Sequence, residues 1–369
     1  MQVPFVDLKA QYLSIKPAID RALSEVIEET AFIGGKPVED FAAAFANLYG
    51  VKHCIPVANG TDAIYIAMKM LGIGPDDEVI TVANSWISSS ETISQTGATP
   101  VFADIEPGLY TIDPASVESK ITARTKAIIP VHLYGQAANM TAIQQIAKRH
   151  KLYVIEDCAQ SHFSEFEGKR CGTMGIAGTF SFYPGKNLGA YGDAGCIITN
   201  DDNLAEKCRM YANHGALKKH HHRIEGINSR LDGIQAAVLS AKLPHILDWT
   251  ESRIKNSQLY NHYLEGSSVE LPIVRQNSKH TFHLYVVRSK RRDGLMEYLS
   301  EHGIGTAIHY PTILPALPAY SYLNTSIEEY PVASAYQQEI LSLPMFPELT
   351  EEQIKYVADT VKKFDNLSE

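Results

Sequence analysis

Short apolar or β-branched runs alternate with segments of helical periodicity through the first half of this chain, and no other feature restricts the fold as strongly. The runs are Asp77 to Val82, Pro100 to Ile105, Lys126 to His132 and Leu152 to Asp157, with a shorter one from Cys54 to Val57. Between them lie segments such as Thr141 to His150, whose Ile143, Ile146 and Ala147 share one helical face. Strands joined by helical crossovers run parallel and are covered on both faces, so an α/β fold with a mainly parallel central sheet is predicted. Another helix is expected near the N-terminus. There Ile15, Ile19, Ala22, Leu23, Val26 and Ile27 repeat at helical spacing, Ser14 offers a cap and Pro17 fits the first turn.

From Leu231 an apolar helical pattern runs to Pro244 and can resume beyond it, kinked because proline removes a helix hydrogen bond. That break sets the expected boundary between a large domain, residues 1–245 with the N-terminal segment included, and a smaller α+β domain, residues 246–369. The second part has a strand pattern from Phe282 to Val287 and a last helix opened by the capping box Thr350 to Gln353. A chain of 369 residues has room for both. Its formal net charge of −9 argues against nonspecific binding to nucleic acid or anionic membrane, so a phosphorylated ligand needs a local site. The opening MQVPFVDLKAQYLSIK lacks the pattern of a signal peptide, and no run approaches the roughly 18 apolar residues of a membrane span. A cytoplasmic protein is expected. Five scattered cysteines without C-x-x-C pairing predict neither a disulfide framework nor structural zinc.

Three motifs carry chemistry. In F-S-F-Y-P-G-K-N-L-G, Phe180 to Gly189, an apolar strand ends in a Pro-Gly turn that places Lys186 beside the core. Apolar surroundings lower a lysine pKa and free the amine for imine formation, although a plain turn lysine with a buried stem would read the same. In V-I-E-D-C-A-Q an apolar strand ends in Glu156 and Asp157, with Gln160 three residues on. A strand-end carboxylate such as Asp157 can keep the ring nitrogen of pyridoxal 5′-phosphate protonated and Gln160 can meet the ring hydroxyl, whereas the bland alternative is a helix cap or solvated loop. In A-N-G-T-D-A-I a strand turns through Gly60 and Thr61 into a helix whose first-turn N–H groups suit a phosphate; otherwise Thr61 and Asp62 simply cap that helix. Trp86 can stack on a flat ring or belong to the core, and Ser181 faces away from Phe180 and Phe182, able to reach a phosphate oxygen. The run Lys218 to Arg223 contains three consecutive histidines, which cannot all point at one ion, so no metal is expected and a basic loop near an anionic substrate is preferred.

Taken in order, these motifs resemble the sugar-nucleotide aminotransferases (DegT/DnrJ/StrS-like), a branch of the aspartate-aminotransferase fold, fold type I. The likeness begins at F-V-D-L-K-A-Q-Y (Phe5 to Tyr12). It continues through G-D-A-G (Gly192 to Gly195), N-H-G (Asn213 to Gly215) and N-S-R-L-D (Asn228 to Asp232), and closes at Gly303 to Pro311. The resemblance implies that Lys186 forms the Schiff base to pyridoxal phosphate and that Asp157 pairs with its ring nitrogen. It further implies that Trp86 stacks on the ring, that Gly60, Thr61 and Ser181 hold the phosphate, and that Gln160 sits by the ring oxygen. Asn228 and Arg230 would act from the partner subunit of a homodimer, Arg230 with His309 and Tyr310 on a nucleotide-linked keto sugar. L-glutamate would convert the cofactor to pyridoxamine phosphate, and the amine would then pass to the sugar.

The chain departs from that pattern in three places. Tyr310-Pro311 is followed by Thr312-Ile313-Leu314-Pro315, without the sugar-contacting histidine often found there; Phe163 stands where glycine is common, and Ser161 replaces alanine. The lysine loop F-Y-P-G-K-N-L-G-A-Y-G-D resembles that of members acting at C-3 of a hexose, which implies a dTDP-linked 3-keto-6-deoxyhexose as substrate. The alternatives are a UDP-linked or 4-keto sugar, a dehydratase of the same fold, or a regulatory protein that has kept the fold.

Overall fold

The protein is described by a computed structural model covering residues 1–367. Seven strands form the central sheet: β1 (His53–Val57), β2 (Glu78–Val82), β3 (Thr99–Ala103), β4 (Thr125–Ile129), β5 (Tyr153–Asp157), β6 (Ala177–Ser181) and β7 (Gly195–Thr199). Their spatial order is β1-β7-β6-β5-β4-β2-β3, and only β7 runs against its neighbours. The predicted mainly parallel sheet is therefore present. Period-two alternation sends successive residues to opposite faces. Ile80, Val82, Ile128 and Ile198 enter one apolar core, whereas Val79, Ala127, Ile129 and Ile197 enter the other.

The covering helices include α1 (Leu8–Ser14), α2 (Lys16–Glu28), α3 (Lys36–Tyr49), α4 (Gly60–Met70), α5 (Ser88–Thr96), α6 (Met140–His150) and α7 (Asp202–Ala212). Ser14 does not cap the helix expected near it. It ends α1, its hydroxyl donating back to the Gln11 carbonyl, and α2 starts after Ile15 without a side-chain cap. Pro17 has no N–H to continue the α1 ladder, so one apolar pattern becomes two helices. The run Lys126 to His132 also stops short as a strand: β4 ends at Ile129, just before Pro130.

After α8 (Gly233–Lys242), a 3-10 turn at Leu243–His245 holds Pro244 and leads into α9 (Ile246–Leu264). Helices α10 (Arg292–Glu301) and α11 (Glu351–Asp365, with the Thr350/Gln353 capping box) follow, together with a two-stranded antiparallel sheet of β8 (Tyr285–Arg288) and β9 (Ile340–Leu343). The strand expected from Phe282 begins later because Phe282 lies at φ +45°, outside the extended region. These elements enclose a third core. Segments cross between the cores: Val3 pairs with Ile304, and Leu314, Tyr320 and Tyr330 pack into a core of the large sheet. Among the described residues no helix is long and apolar enough to cross a membrane.

Candidate active site

A cavity of about 500 Å³ lies where several parallel strands end, and nine of the eleven site residues picked out by sequence line it. One end is built by the turn from β1 into α4. Asn59 caps the helix by accepting the Asp62 N–H (2.8 Å), so the cap is Asn59 rather than Thr61 or Asp62. Other first-turn N–H groups have no partner within the helix and carry the positive end of its dipole. Gly60 is required by closeness: a Cβ there would lie 2.6 Å from the Ser181 Cβ. Ser181 closes β6 on the cavity side while Phe180 and Phe182 are fully buried in a core. The Thr61 hydroxyl is 2.7 Å from that of Ser88, the first residue of α5. A helix start of this kind, flanked by hydroxyls, has the chemistry to receive an anion.

Further in, Asp157 ends β5 at 4% exposure. It accepts the Ser89 hydroxyl (2.9 Å) and the Ala159 N–H (3.1 Å). Burial raises its pKa, and these two donors with the nearby Lys186 charge pull it back toward the carboxylate. Burial takes the Lys186 amine down to about 8, with Asp157 opposing the shift. Beneath Asp157, the adjacent Glu156 accepts N–H groups from Gly172, Met174 and Gly175 at 2.6–2.7 Å and faces His132 Nε2 at 2.9 Å. Cys158 lies close enough to His132 and Glu156 to suggest a metal site. Glu156 has its lone pairs occupied, however, and His132 is engaged at both ring nitrogens, by Glu156 at Nε2 and by the Ala138 N–H at Nδ1 (3.0 Å), which leaves little to hold an ion. The group serves as a buried support for the end of β5.

Above the cavity Trp86 is 59% exposed, so it is not a core residue, and its ring centre lies 5.8 Å from that of Tyr310. Gln160 links two tyrosines, accepting the Tyr134 N–H (2.8 Å) and donating to the Tyr310 hydroxyl (2.9 Å). The Tyr134 hydroxyl donates to the His309 carbonyl, while the His309 ring stacks on Phe5 and meets the Ser342 hydroxyl through Nδ1 (2.9 Å). Burial, helped by Lys186, takes the His309 pKa down to about 4. A second cavity of about 250 Å³ opens past Lys186 between His283, Leu284, Met345 and Phe5.

Asn228 and Arg230 do not line either cavity. Asn228 is exposed beside Asn213, and Ser229 between them is tied to α4, accepting the Ala58 N–H and donating to Asp62. Residues 218–223 form an exposed loop in which Arg223 pairs with Glu206. Phe163 lies at φ +61°, a left-handed conformation that favours glycine; its ring packs 4.7 Å from Tyr49 in compensation. Ser89, Tyr134, Ser229 and His283 escaped the sequence reading. Only Ser89 had a local signal, the serine run at the start of α5.

An anion cup, a buried carboxylate and a depressed lysine amine along one cavity fit the phosphate, ring nitrogen and aldehyde of pyridoxal phosphate. With this sheet, they define a fold-type I pyridoxal-phosphate-dependent transaminase. The model of the DegT/DnrJ/EryC1/StrS aminotransferase family matches residues 13–362, and the chain belongs to that family. A Geobacillus stearothermophilus protein named pleiotropic regulatory protein is 48% identical over 99% of this chain and 99% of its own. The dTDP-3-amino-3,4,6-trideoxy-alpha-D-glucose transaminase of Streptomyces venezuelae is 40% identical, over 98% of this chain and 96% of its own. Among solved structures, S. venezuelae DesV in complex with a ketimine intermediate superposes with a TM-score of 0.97 at 40% identity, covering 100% of both chains.

Proposed function

We propose that this transaminase moves an amino group from L-glutamate to a nucleotide-linked keto sugar, at C-3 of a dTDP-linked 3-keto-6-deoxyhexose. The observation that carries the reading is the joint placement of Lys186, Asp157 and the Gly60 anion cup along one cavity. Two relatives with dTDP-3-amino sugar names, at 40% and 42% identity, support the choice of sugar. A UDP-linked 3-keto sugar is the second choice, since a relative at 39% is named a UDP-N-acetyl-3-dehydro-alpha-D-glucosamine 3-aminotransferase.

In this reading Gly60, Thr61 and Ser181 hold the cofactor phosphate, and Trp86 covers the ring. Gln160 approaches the ring oxygen. Asp157 keeps the ring nitrogen protonated. When bound, pyridoxal phosphate supplies an electron sink for the carbanion formed at the substrate carbon. Lys186 supplies the amine that links the cofactor and later moves the proton at that carbon. His309 and Tyr310, with Arg230 from the partner of a homodimer, contact the sugar nucleotide, and Asn228 of the same partner reaches the phosphate. The division into residues 1–245 and 246–369 belongs to the same reading, with Leu243–His245 as hinge.

The test offers matched 3-keto and 4-keto dTDP-6-deoxyhexoses with glutamate and locates the new amine by NMR. Amination at C-3 is expected; amination at C-4 alone would overturn the choice of carbon. The name of the 48% relative favours a second reading, a regulatory protein that has kept the fold. Visible absorbance separates the two, because only a cofactor-linked lysine colours the pure protein.

A further inference from the structure

Lys242, the last residue of α8, is only 1% exposed, and nothing in the proposed chemistry uses it. Its Nζ donates to the Gly189 carbonyl (2.7 Å) and lies 4.4 Å from the centre of the Tyr191 ring. Both partners belong to the chain just past Lys186. Burial pushes the Lys242 amine down to about 8, against the pull of Glu348, whose carboxylate oxygens find no hydrogen-bond partner among the described residues. A methionine could fill this space without desolvating an amine, so the bond to Gly189 is what a lysine adds here.

That bond falls on a sensitive peptide. The Gly189 carbonyl and the Ala190 N–H share one rigid trans unit and point in opposite directions. The Ala190 N–H donates to the Phe182 carbonyl (2.7 Å), closing the neck of the loop that carries Lys186. One peptide is therefore held at both ends, by Phe182 and by Lys242. Seven residues earlier on α8, two helical turns away, Gln235 Oε1 accepts the Tyr191 N–H (2.9 Å) and holds the next peptide. At Gly189 a Cβ would lie 2.4 Å from the Pro184 carbonyl oxygen, so the two arms of the loop touch at its neck.

We propose that Lys242 is a positioning residue which, with Gln235, clamps the backbone of Gly189–Tyr191 onto α8 and so fixes where Lys186 delivers its amine. This rests on Lys186 being the lysine that links the cofactor. Borohydride reduction of the holoenzyme followed by peptide mapping checks that premise first. The pH titration of the imine absorbance is then compared among wild type, Lys242→Met, Gln235→Leu and a packing control, Leu243→Ala, which removes a buried apolar neighbour.

Lys242→Met is expected to move the titration by at least about half a pH unit. It should also lower kcat about tenfold with both KM values within about twofold of wild type. Gln235→Leu should act in the same direction, and Leu243→Ala should lower Tm without moving the titration. A wild-type titration and kcat in Lys242→Met would overturn the clamp, as would an equal shift in Leu243→Ala. Should Lys242→Met not fold, an unmoved titration in Gln235→Leu overturns it instead. Label on another lysine would remove the assignment of Lys186 together with the clamp, whereas label on Lys186 with unmoved titrations removes the clamp alone.

Discussion

Asp157 and Lys186 illustrate how burial sets the chemistry of single groups. The Asp157 carboxyl is pushed up by desolvation, a shift that the Ala159 N–H, Ser89 and the Lys186 charge oppose. Replacing it with asparagine keeps the shape and removes the charge. Asp157→Asn should bind pyridoxal phosphate yet exchange the glutamate α-proton at least ~100-fold more slowly, the scale of losing one preorganised electrostatic partner. Proton exchange followed by NMR checks this, and a near-wild-type rate would exclude Asp157 from the role. For Lys186 the amine must be neutral to attack the aldehyde, and its pKa lies near 8 rather than 10.5. Loading of the apoenzyme with pyridoxal phosphate, measured by stopped-flow absorbance, should therefore quicken as pH rises through about 8 and level off above. A rate still climbing toward pH 10 would mean that the lysine is not desolvated.

At the scale of elements, the site depends on α4 and β6 lying almost in contact. Gly60 permits that approach, and any side chain there strikes the backbone and Cβ of Ser181. Gly60→Ala should leave the sheet intact but open the anion cup, weakening cofactor binding by about 1–3 kcal/mol, the usual range for overpacking a close contact. Equilibrium titration of apoenzyme with pyridoxal phosphate measures the change. Unaltered affinity would show that the phosphate is not held at this helix end. The same scale decides where α2 and β8 begin. Ser14 has the chemistry of a cap, but Pro17 splits the pattern so that Ser14 finishes one helix instead of starting the next. Phe282 has the residue type of a strand, but its backbone is left-handed and only Tyr285–Arg288 joins the small antiparallel sheet.

For the whole molecule, Asn228 and Arg230 lie outside both cavities, and the proposed reading assigns them to the site of a neighbouring subunit. Ser229 anchors that segment to α4, so it sits at the edge of the site without entering it. If the sites are shared, mixing inactive Lys186→Ala with inactive Arg230→Ala chains should restore about one quarter of the active sites. Half of the dimers are then mixed, and each of those has one complete site. Activity after verified subunit exchange is the readout. None recovered would place Arg230 outside the partner's site.

The sequence by itself determined the layered α/β architecture, because periodicities of 2 and 3.6 in consecutive segments leave few other arrangements. It also marked residues that line the main cavity wherever a motif is local. Lys186 after a strand, Asp157 at a strand end and Gly60 at the start of a helix are each recognisable from a few neighbouring residues. Tertiary structure decided what depends on residues far apart in the chain. Ser89 reaches Asp157 across 68 positions, Gln160 meets Tyr310 across 150, and Lys242 holds Gly189 across 53. A hydrogen bond between distant segments leaves no period and no spacing in the sequence, and burial, which moves the Lys186 and Asp157 pKa values, exists only once the surrounding layers have closed.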